Sequence, residues 1–503
     1  MGSPMNRHMV IAGGGTAGWM AAAALARFLP NTVRITLVES EAIGTVGVGE
    51  ATIPQIRLFN QRLGIAEDQL LAATHGTIKL GIEFDGWNGP ESRYIHAFGT
   101  IGRPLGNVPF HQHWLRHCCT GRAGALHEYS VAACAAHQNR FAPDLGRPEL
   151  PTGLAWAYQF DAARYAALLR AHAEQAGVTR LEGRINHVAV DDRGHIASLH
   201  LDDGRAVSGG FFIDCTGFSA RLIGDALGVG HEDWSRWLPC DRALAVQSAA
   251  TAPLDPYTRA TARTAGWQWR IPLRHRTGNG MVWCSAYQEE QDAADLLLAN
   301  LDGAPLTDPR PLQFATGRRK AAWQANCVAL GLASGFLEPL ESTSIHLIQS
   351  GIDRLLQLFP AGDPIPAEVA EYNRQTAREW ECVRDFLILH YHAANRPEPF
   401  WAAYRNQPAP DRLAHRIELF RATGRLFRDS DDLFTDVGWL QVLMGQGIMP
   451  ERHDPLADTV PERDLDEFLT LARRHVANVV SRMPDHQAYL MREAAPGKNG
   501  EPN

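Results

Sequence analysis

Two side chains in this 503-residue chain are placed where acid–base chemistry could be done, and a third group of residues could hold an anionic cofactor. Lys79 lies in Thr77-Ile78-Lys79-Leu80-Gly81-Ile82-Glu83-Phe84, a strictly alternating run that predicts a β-strand. Ile78, Leu80, Ile82 and Phe84 share one face; Thr77, Lys79, Gly81 and Glu83 share the other. On the residues alone this is a half-buried strand with Lys79 in water. Glu341 lies in Pro339-Leu340-Glu341-Ser342-Thr343-Ser344. Ile345, Ile348, Ile352, Leu355, Leu356 and Phe359 follow at helical spacing, and Pro360 ends the run. Ser342 or Thr343 is a good N-cap for that helix. Its exposed amides and positive dipole end favour an anion, by about 0.3–1 kcal/mol for a surface charge. The plain alternative is a capped helix whose dipole Glu341 complements.

The cofactor candidate is at the start of the chain. Met9-Val10-Ile11-Ala12 predicts a strand running into Gly13-Gly14-Gly15-Thr16-Ala17-Gly18, followed by an Ala-rich helix over Trp19–Leu29 that stops at Pro30. Val33–Val38 predicts a second strand, ending at Glu39. Strand, tight turn, helix, strand and acidic residue make the order of a Rossmann βαβ unit. Gly13 permits the turn, Gly15 lets backbone approach a pyrophosphate, and Gly18 lets helix and strand pack. Glu39, about twenty residues past Gly18, is spaced to accept hydrogen bonds from an adenosine ribose. Ala206–Asp214 reads as a strand entering Cys215-Thr216-Gly217-Phe218. Cys327–Leu330 runs into a second glycine turn, Gly331-Leu332-Ala333-Ser334-Gly335-Phe336.

Around these lie an aromatic-rich stretch and a helical one. Gly266-Trp267-Gln268-Trp269-Arg270-Ile271-Pro272 places two indoles either side of one residue, in a chain with 13 tryptophans. Trp234, Trp237, Trp267, Trp269, Trp283 and Tyr287 suggest a second sheet. From about residue 361 the chain turns helical, over Pro366–Ile388 and Glu462–Val480. Composition is that of a globular enzyme, 45% hydrophobic and 21% charged. The formal net charge of −8 argues against a nucleic-acid partner. The eight cysteines contain no CxxC pair and read as reduced thiols. His113, His117, Cys118 and Cys119 cluster, but at no metal-ligand spacing, so no metal is expected. No run is long and apolar enough to span a membrane, and the start lacks the apolar core of a signal peptide. The expectation is a cytoplasmic chain, with Gly2–Pro4 a cloning remnant and Met5 the natural start.

Three segments together resemble the flavin-dependent halogenases of the tryptophan-halogenase-like family. Gly266–Pro272 is similar to their GWxWxIP signature. Lys79, Gly81-Ile82, Phe84 and Trp87 fall in register with a KxGIxFxxW pattern, and Pro339–Ser344 resembles EPLESTG. The resemblance runs from the glycine loop to about Leu456. It implies an α/β fold, α+β overall, with a Rossmann-like FAD-binding domain of the flavoprotein monooxygenase type, a second sheet and a C-terminal helical region. The expected division is a core over 5–360, with flavin parts in 5–84, 151–230 and 301–360 and a substrate-side sheet in 85–150 and 231–300. A helical substrate region over 361–494 and a disordered tail over 495–503 complete it.

By the same resemblance Lys79 and Glu341 are catalytic, with Thr343 and Ser344 near halide, chloride or bromide. Gly13, Gly15, Thr16, Ala17, Gly18, Glu39, Gly331 and Gly335 hold FAD, working as FADH2. Leu332 replaces the acidic residue usual after the first glycine of the late turn, and Ser344 replaces a glycine at the halide site. Trp267, Trp269, Ile271 and Pro272 separate flavin from substrate; their other role is core packing. Hypohalous acid made at the flavin is held at Lys79, by hydrogen bond or as a haloamine, and attacked by an electron-rich aromatic. Phe110, His111 and Trp439 are substrate candidates, although such residues are more often core aromatics and satisfied histidines. Phe434–Gly447 shows no paired-tyrosine and glutamate clamp for a free amino acid, so an indole-like substrate other than free tryptophan is expected. No second nicotinamide loop is visible, so a separate NAD(P)H-dependent flavin reductase is the expected partner, with a homodimer one option for assembly. The rival readings are a flavin hydroxylase or oxidoreductase, and a non-catalytic flavin-binding protein.

Overall fold

The structure is a computed structural model and describes residues 8–43, 49–118, 120–143, 145 and 151–493. The tail over 495–503 and Gly2–Pro4 lie outside the described residues. The chain divides into two units. The first comprises Met1–Thr74, Phe160–Asp241 and Gln313–Glu381; the second comprises His75–Gln159, Arg242–Leu312 and Cys382–Asn503. Residues 75–84, 151–159 and 301–312 fall in the second unit and 231–241 and 361–381 in the first, unlike the expected bounds. The strand Gly81–Asp85 pairs with Thr258–Arg263, and this draws Lys79 into the second unit.

The first unit is built on a six-stranded sheet. Its order is Trp323–Gln324, Cys327–Ala329, Phe211–Asp214, His8–Ala12, Arg34–Glu39 and Thr179–Glu182. All pairings are parallel except that of Trp323–Gln324. His8–Ala12 is central and buried along its whole length, which is why it reads as a continuous apolar run and not an alternating one. The βαβ expectation holds, with the helix at Thr16–Phe28. Val10, Ala12, Val38, Phe212 and Ala329 share a core with Ile185, Val188, Leu199 and Val207 of a small antiparallel sheet. Ala206–Asp214 is not one strand. Ala206–Ser208 belongs to the small sheet and Phe211–Asp214 to the large one. The break falls at Gly209, where a Cβ would press on Val10.

The second unit carries a seven-stranded sheet. Its order is Arg310–Gln313, Arg242–Ala249, Arg276–Trp283, Gly266–Pro272, Thr258–Arg263, Gly81–Asp85 and Arg93–Ala97. The expected second sheet is therefore present, but Trp234 and Trp237 are not part of it. They follow His231–Asp233, which pairs with Gly317–Arg319 in the first unit. The stretch expected to be strand-like over 85–150 also contains the helices Phe110–Cys118 and Val131–His137. The C-terminal helices are Pro366–His392, Pro399–Arg405, Asp411–Thr423, Asp436–Gly445, Glu462–Ser481 and His486–Glu493. Among the described residues no helix is long and apolar enough to cross a membrane. Nor does any group of three or more His, Cys, Asp or Glu side chains form a metal cage there.

Several histidines are buried in neutral form. Burial lowers the pKa of His8 and His111, and pushes that of His486 down to about 4. Unfolding returns each ring to water, where it takes up a proton near pH 6.5. The unfolded state thus binds more protons than the folded one between about pH 4 and pH 6.5, so stability is full above that window and falls as pH drops through it. We expect the thermal midpoint to fall between pH 7 and pH 5, and His486→Gln to flatten that slope. Melts across the range, read by intrinsic fluorescence, check this; a slope unchanged by the substitution would contradict it.

Candidate active site

Glycine placement in the first unit shows what the loop is for. A Cβ on Gly13, whose φ is +106°, would overlap the Cys215 carbonyl, and one on Gly18 would overlap the Gly13 carbonyl. Gly14, which sequence reasoning passed over, leaves room for the Glu39 carboxylate. Gly15 differs. It is the N-cap of Thr16–Phe28 with φ of −73°, makes no side-chain cap, and a Cβ there would meet nothing within 4 Å. No packing or backbone demand of the protein explains that glycine, whereas a pyrophosphate lying across the helix N-terminus would. The residues present therefore fit an FAD. Glu39 ends its strand beside the loop, bonded to Arg180 and accepting from Trp19 Nε1 at 3.3 Å.

Asp214 organises the second part of this site, and sequence reasoning did not single it out. Its buried carboxylate accepts from Thr216 N at 2.9 Å, Thr216 Oγ1 at 2.7 Å, Leu222 N at 2.9 Å and Ile223 N at 2.8 Å. Its carbonyl accepts from Leu330 N at 2.9 Å, tying in the late glycine turn. Gly331, at φ of +63°, has its open side against Ala17 of the loop helix and near Ile348. Gly335 lies against the Gly317 carbonyl. The glycine loop, the late turn and the helix Ser344–Gln357 are thus brought together.

Glu341 is 1% exposed and ends a short 3₁₀ turn, Pro339–Glu341. The expected side-chain cap is absent. Thr343 is the N-cap but its hydroxyl makes no cap bond, and Ser342 adopts a left-handed conformation at φ of +56°. A non-glycine residue held there is strained by about 1–3 kcal/mol, the kind of cost found where the backbone serves a site. Thr343 is buried and Ser344 half-buried at the start of the helix. Glu50, on Gly49–Ala51, is a further carboxyl in this unit, pushed up to about 7 by burial.

Lys79 is the surprise of the second unit. It is 0% exposed, and both strands of its segment, Thr77–Lys79 and Gly81–Asp85, are buried on both faces apart from Asp85. The half-buried strand with a solvated lysine is therefore corrected: the polar face is internal. Leu80 breaks the run, donating to Pro256 O at 2.7 Å and accepting from Phe98 N at 2.8 Å. The Lys79 Nζ lies 5.4 Å from the Phe98 ring centroid. Thr77 Oγ1 donates to Pro272 O at 2.8 Å, and so joins this strand to the end of the Gly266–Pro272 strand. Gln159 Nε2 donates to Thr77 Oγ1 at 3.1 Å, while its Oε1 accepts from Thr258 Oγ1 at 3.2 Å.

Gly266–Pro272 is buried throughout, Ile271 and Pro272 included, and is paired on both sides. Trp267 and Trp269 share a face with ring centroids 6.0 Å apart. Gly280 faces Trp269 in register, and a Cβ there would overlap the indole. Phe110 packs against Tyr129 and Phe468, and His111 Nε2 bonds to Gly424 O at 2.8 Å. Both are core positions. Trp439 is buried against Phe386, with the Arg416 guanidinium 4.2 Å from its ring centroid. Its indole N–H has no hydrogen-bond partner among the described residues.

Residues 8–462 match the family described as tryptophan halogenase. The chain belongs to that family. A flavin-dependent halogenase from Xanthomonas campestris is similar to it over 98% of this chain and 99% of its own, with 49% identity and a TM-score of 0.95. BrvH, a flavin-dependent halogenase from a Brevundimonas species, has 46% identity and a TM-score of 0.93 over 98% of this chain and 100% of its own. Tryptophan 6-halogenase SttH of Streptomyces toxytricini is 34% identical over 96% of this chain and 97% of its own length. This member of the family is thus a flavin-dependent halogenase, an oxidoreductase using reduced FAD and halide.

The glycine geometry separates binding from folding. Gly15→Val is expected to leave the apoprotein melting temperature within about 2 °C and to weaken FAD binding by at least about tenfold, since it enters only ligand space. Gly18→Ala is expected to lower the apoprotein melting temperature, because it forces helix and turn apart. Fluorimetric melts and FAD titration read both, and a destabilised Gly15→Val apoprotein would count against a loop reserved for the cofactor.

Proposed function

We propose that this halogenase makes hypohalous acid at the flavin and passes it to Lys79 for electrophilic halogenation of an electron-rich aromatic, indole-like and not free tryptophan. The observation that carries the reading is the complete burial of Lys79 on a strand whose polar neighbours are all hydrogen-bonded. An amine taken out of water is costly to keep, and a surface role would not require it. Reduced FAD, with dioxygen, supplies the oxidising equivalent that turns halide into hypohalous acid. Gly13, Gly15, Thr16, Ala17, Gly18, Glu39, Gly331 and Gly335 are assigned to hold it.

The chain's own residues then do the following. The uncapped amides after Ser342, with Thr343 and Ser344, present donors to halide. Lys79 Nζ, as ammonium, donates to the oxygen of hypohalous acid and polarises the oxygen–halogen bond. The ring carbon takes the halogen, and the departing hydroxide receives the lysine proton to leave as water. Glu341 stabilises the cationic ring and accepts its displaced proton. Trp267 and Trp269, with Ile271 and Pro272, keep the organic substrate from the flavin, so that oxygen is not transferred directly.

For the substrate end, the support is in the helix Asp436–Gly445. Gln441 is engaged in a two-way bond with Ala97, accepting from its N–H and donating to its carbonyl at 3.0 Å each. Trp439 is covered by Phe386 and Arg416. The helix carries one acid, Asp436, and no basic residue, so it supplies no charge pair of its own for a zwitterion, which favours a neutral aromatic. A separate NAD(P)H-dependent flavin reductase supplies the reduced cofactor.

The test is one reaction with protein, FAD, a flavin reductase with NADH, air and indole, run with bromide and with chloride. A halogen isotope doublet by mass spectrometry is expected, and an oxygen-added product in its place would overturn the reading. Lys79→Ala is expected to lose product by at least about a hundredfold while hypohalous acid still reaches a 1,3-diketone trap. Glu341→Gln is expected to slow halogenation by about ten- to a hundredfold with flavin reoxidation intact. A Glu341→Gln protein that no longer reoxidises flavin would place Glu341 in the flavin site instead.

A further inference from the structure

We propose that His486, on the C-terminal helix His486–Glu493, is a positioning residue for Lys79, holding the strand Thr77–Lys79 through a neutral imidazole that accepts from the Ile78 amide and donates to the Leu254 carbonyl. The inference rests on the reading of Lys79 as the catalytic amine.

The partners settle which nitrogen carries the hydrogen. Ile78 N–H can only donate, so Nε2, at 3.2 Å, must accept. Leu254 O can only accept, so Nδ1, at 2.8 Å, must donate. The ring is 0% exposed, and its one N–H and one lone pair are both used. A second ring proton would put N–H against N–H at Ile78. Burial disfavours that proton, more strongly than Asp485 and Asp255 favour it.

The strand needs such a partner. Thr77–Lys79 ends the order of its sheet, so among the described residues the edge away from Ala157–Asp161 has no neighbouring strand to take the Ile78 amide. His486 fills that place one residue from Lys79. The ring is itself held firmly. His486 N donates to Asn139 O at 2.8 Å, Arg140 Nη1 to Met483 O at 2.6 Å, and Phe141 N to Pro484 O at 3.1 Å. Tyr489 packs edge-on to Phe141 at 4.8 Å. The segment lies beyond residue 462, where the match to the family model ends.

Two amide substitutions divide the ring's functions. Glutamine carries its carbonyl to the position of Nε2 and can still accept from Ile78. Asparagine carries its amide nitrogen to the position of Nδ1 and keeps the Leu254 bond alone. His486→Leu loses both and risks the fold, so the Asn/Gln pair is the decisive one. Two readouts are needed: hydrogen–deuterium exchange of the Ile78 amide in the cofactor-free protein, and the ratio of halogenated indole to hypohalous acid captured by the diketone trap.

Loss of the Ile78 bond in His486→Asn is expected to speed that exchange by about tenfold and to lower the product ratio by a similar factor, with flavin reoxidation unchanged. His486→Gln is expected to stay within about twofold of the wild type in both. Equal behaviour of the two variants overturns the inference. So does faster exchange with an unchanged product ratio, because the bond would then be structural alone. A wild-type protein that makes no halogenated indole would instead remove the catalytic reading of Lys79, and the exchange measurement would still decide whether His486 holds Ile78.

Discussion

Everything in the second unit answers to one demand, that an amine be kept out of water at Lys79. A lysine side chain loses strong hydration on burial, so the strand that carries it must be held firmly. The chain of bonds from Thr258 through Gln159 and Thr77 to the Pro272 carbonyl fixes that strand. It crosses from one strand of the large sheet to another and passes through the strand that carries Lys79. The Gly266–Pro272 strand is therefore more than a wall of indoles. Its last carbonyl is an anchor for the strand that carries Lys79, so its position and that of Lys79 are set together.

The first unit solves a different problem by leaving things out. Gly13, Gly14 and Gly18 are glycines because protein atoms fill the space that a side chain would take. At Gly15 no described protein atom fills that space, which is the opening the proposed cofactor phosphate would use. Asp214 complements this by binding four donors of the following turn, which fixes where the late glycine turn can pack. Ser342 continues the theme. A strained residue takes the place of a side-chain cap, and the helix amides that a cap would have satisfied stay available to an anion.

The βαβ unit was legible because its signals are local: an apolar run, a glycine turn, an alanine-rich helix, and an acid at the end of the next strand. The long C-terminal helices were legible for the same reason. The burial of Lys79 was not, because polar residues alternating with apolar ones describe a strand in contact with water whenever the second layer is unseen. Thr77 and Gln159, which make that polar face internal, are 82 residues apart in sequence and carry no motif. The split of Ala206–Asp214 was hidden because two short apolar segments join smoothly at the level of hydropathy; the glycine pair at 209–210 was the available signal. Phe110 and His111 show how little residue type alone says about a role. Aromatic and imidazole side chains invite a substrate role, yet their partners are a phenol ring, a benzyl ring and a backbone carbonyl.

The helix Asp436–Gly445 shows which of its positions are free to change. Gly438 lies against the His96 ring and Gly445 against Tyr94, so the helix approaches the strand Arg93–Ala97 more closely than any side chain at those two positions would permit. Gln441 then matches the Ala97 donor and acceptor with its single amide. Three positions on one face are thus committed to holding the helix against the sheet, and they have little chemical alternative. The neighbouring position, Trp439, is held by ring packing and a guanidinium, interactions that depend on surface and not on matched donors. The packing around Trp439 is therefore easier to alter than the position of the helix.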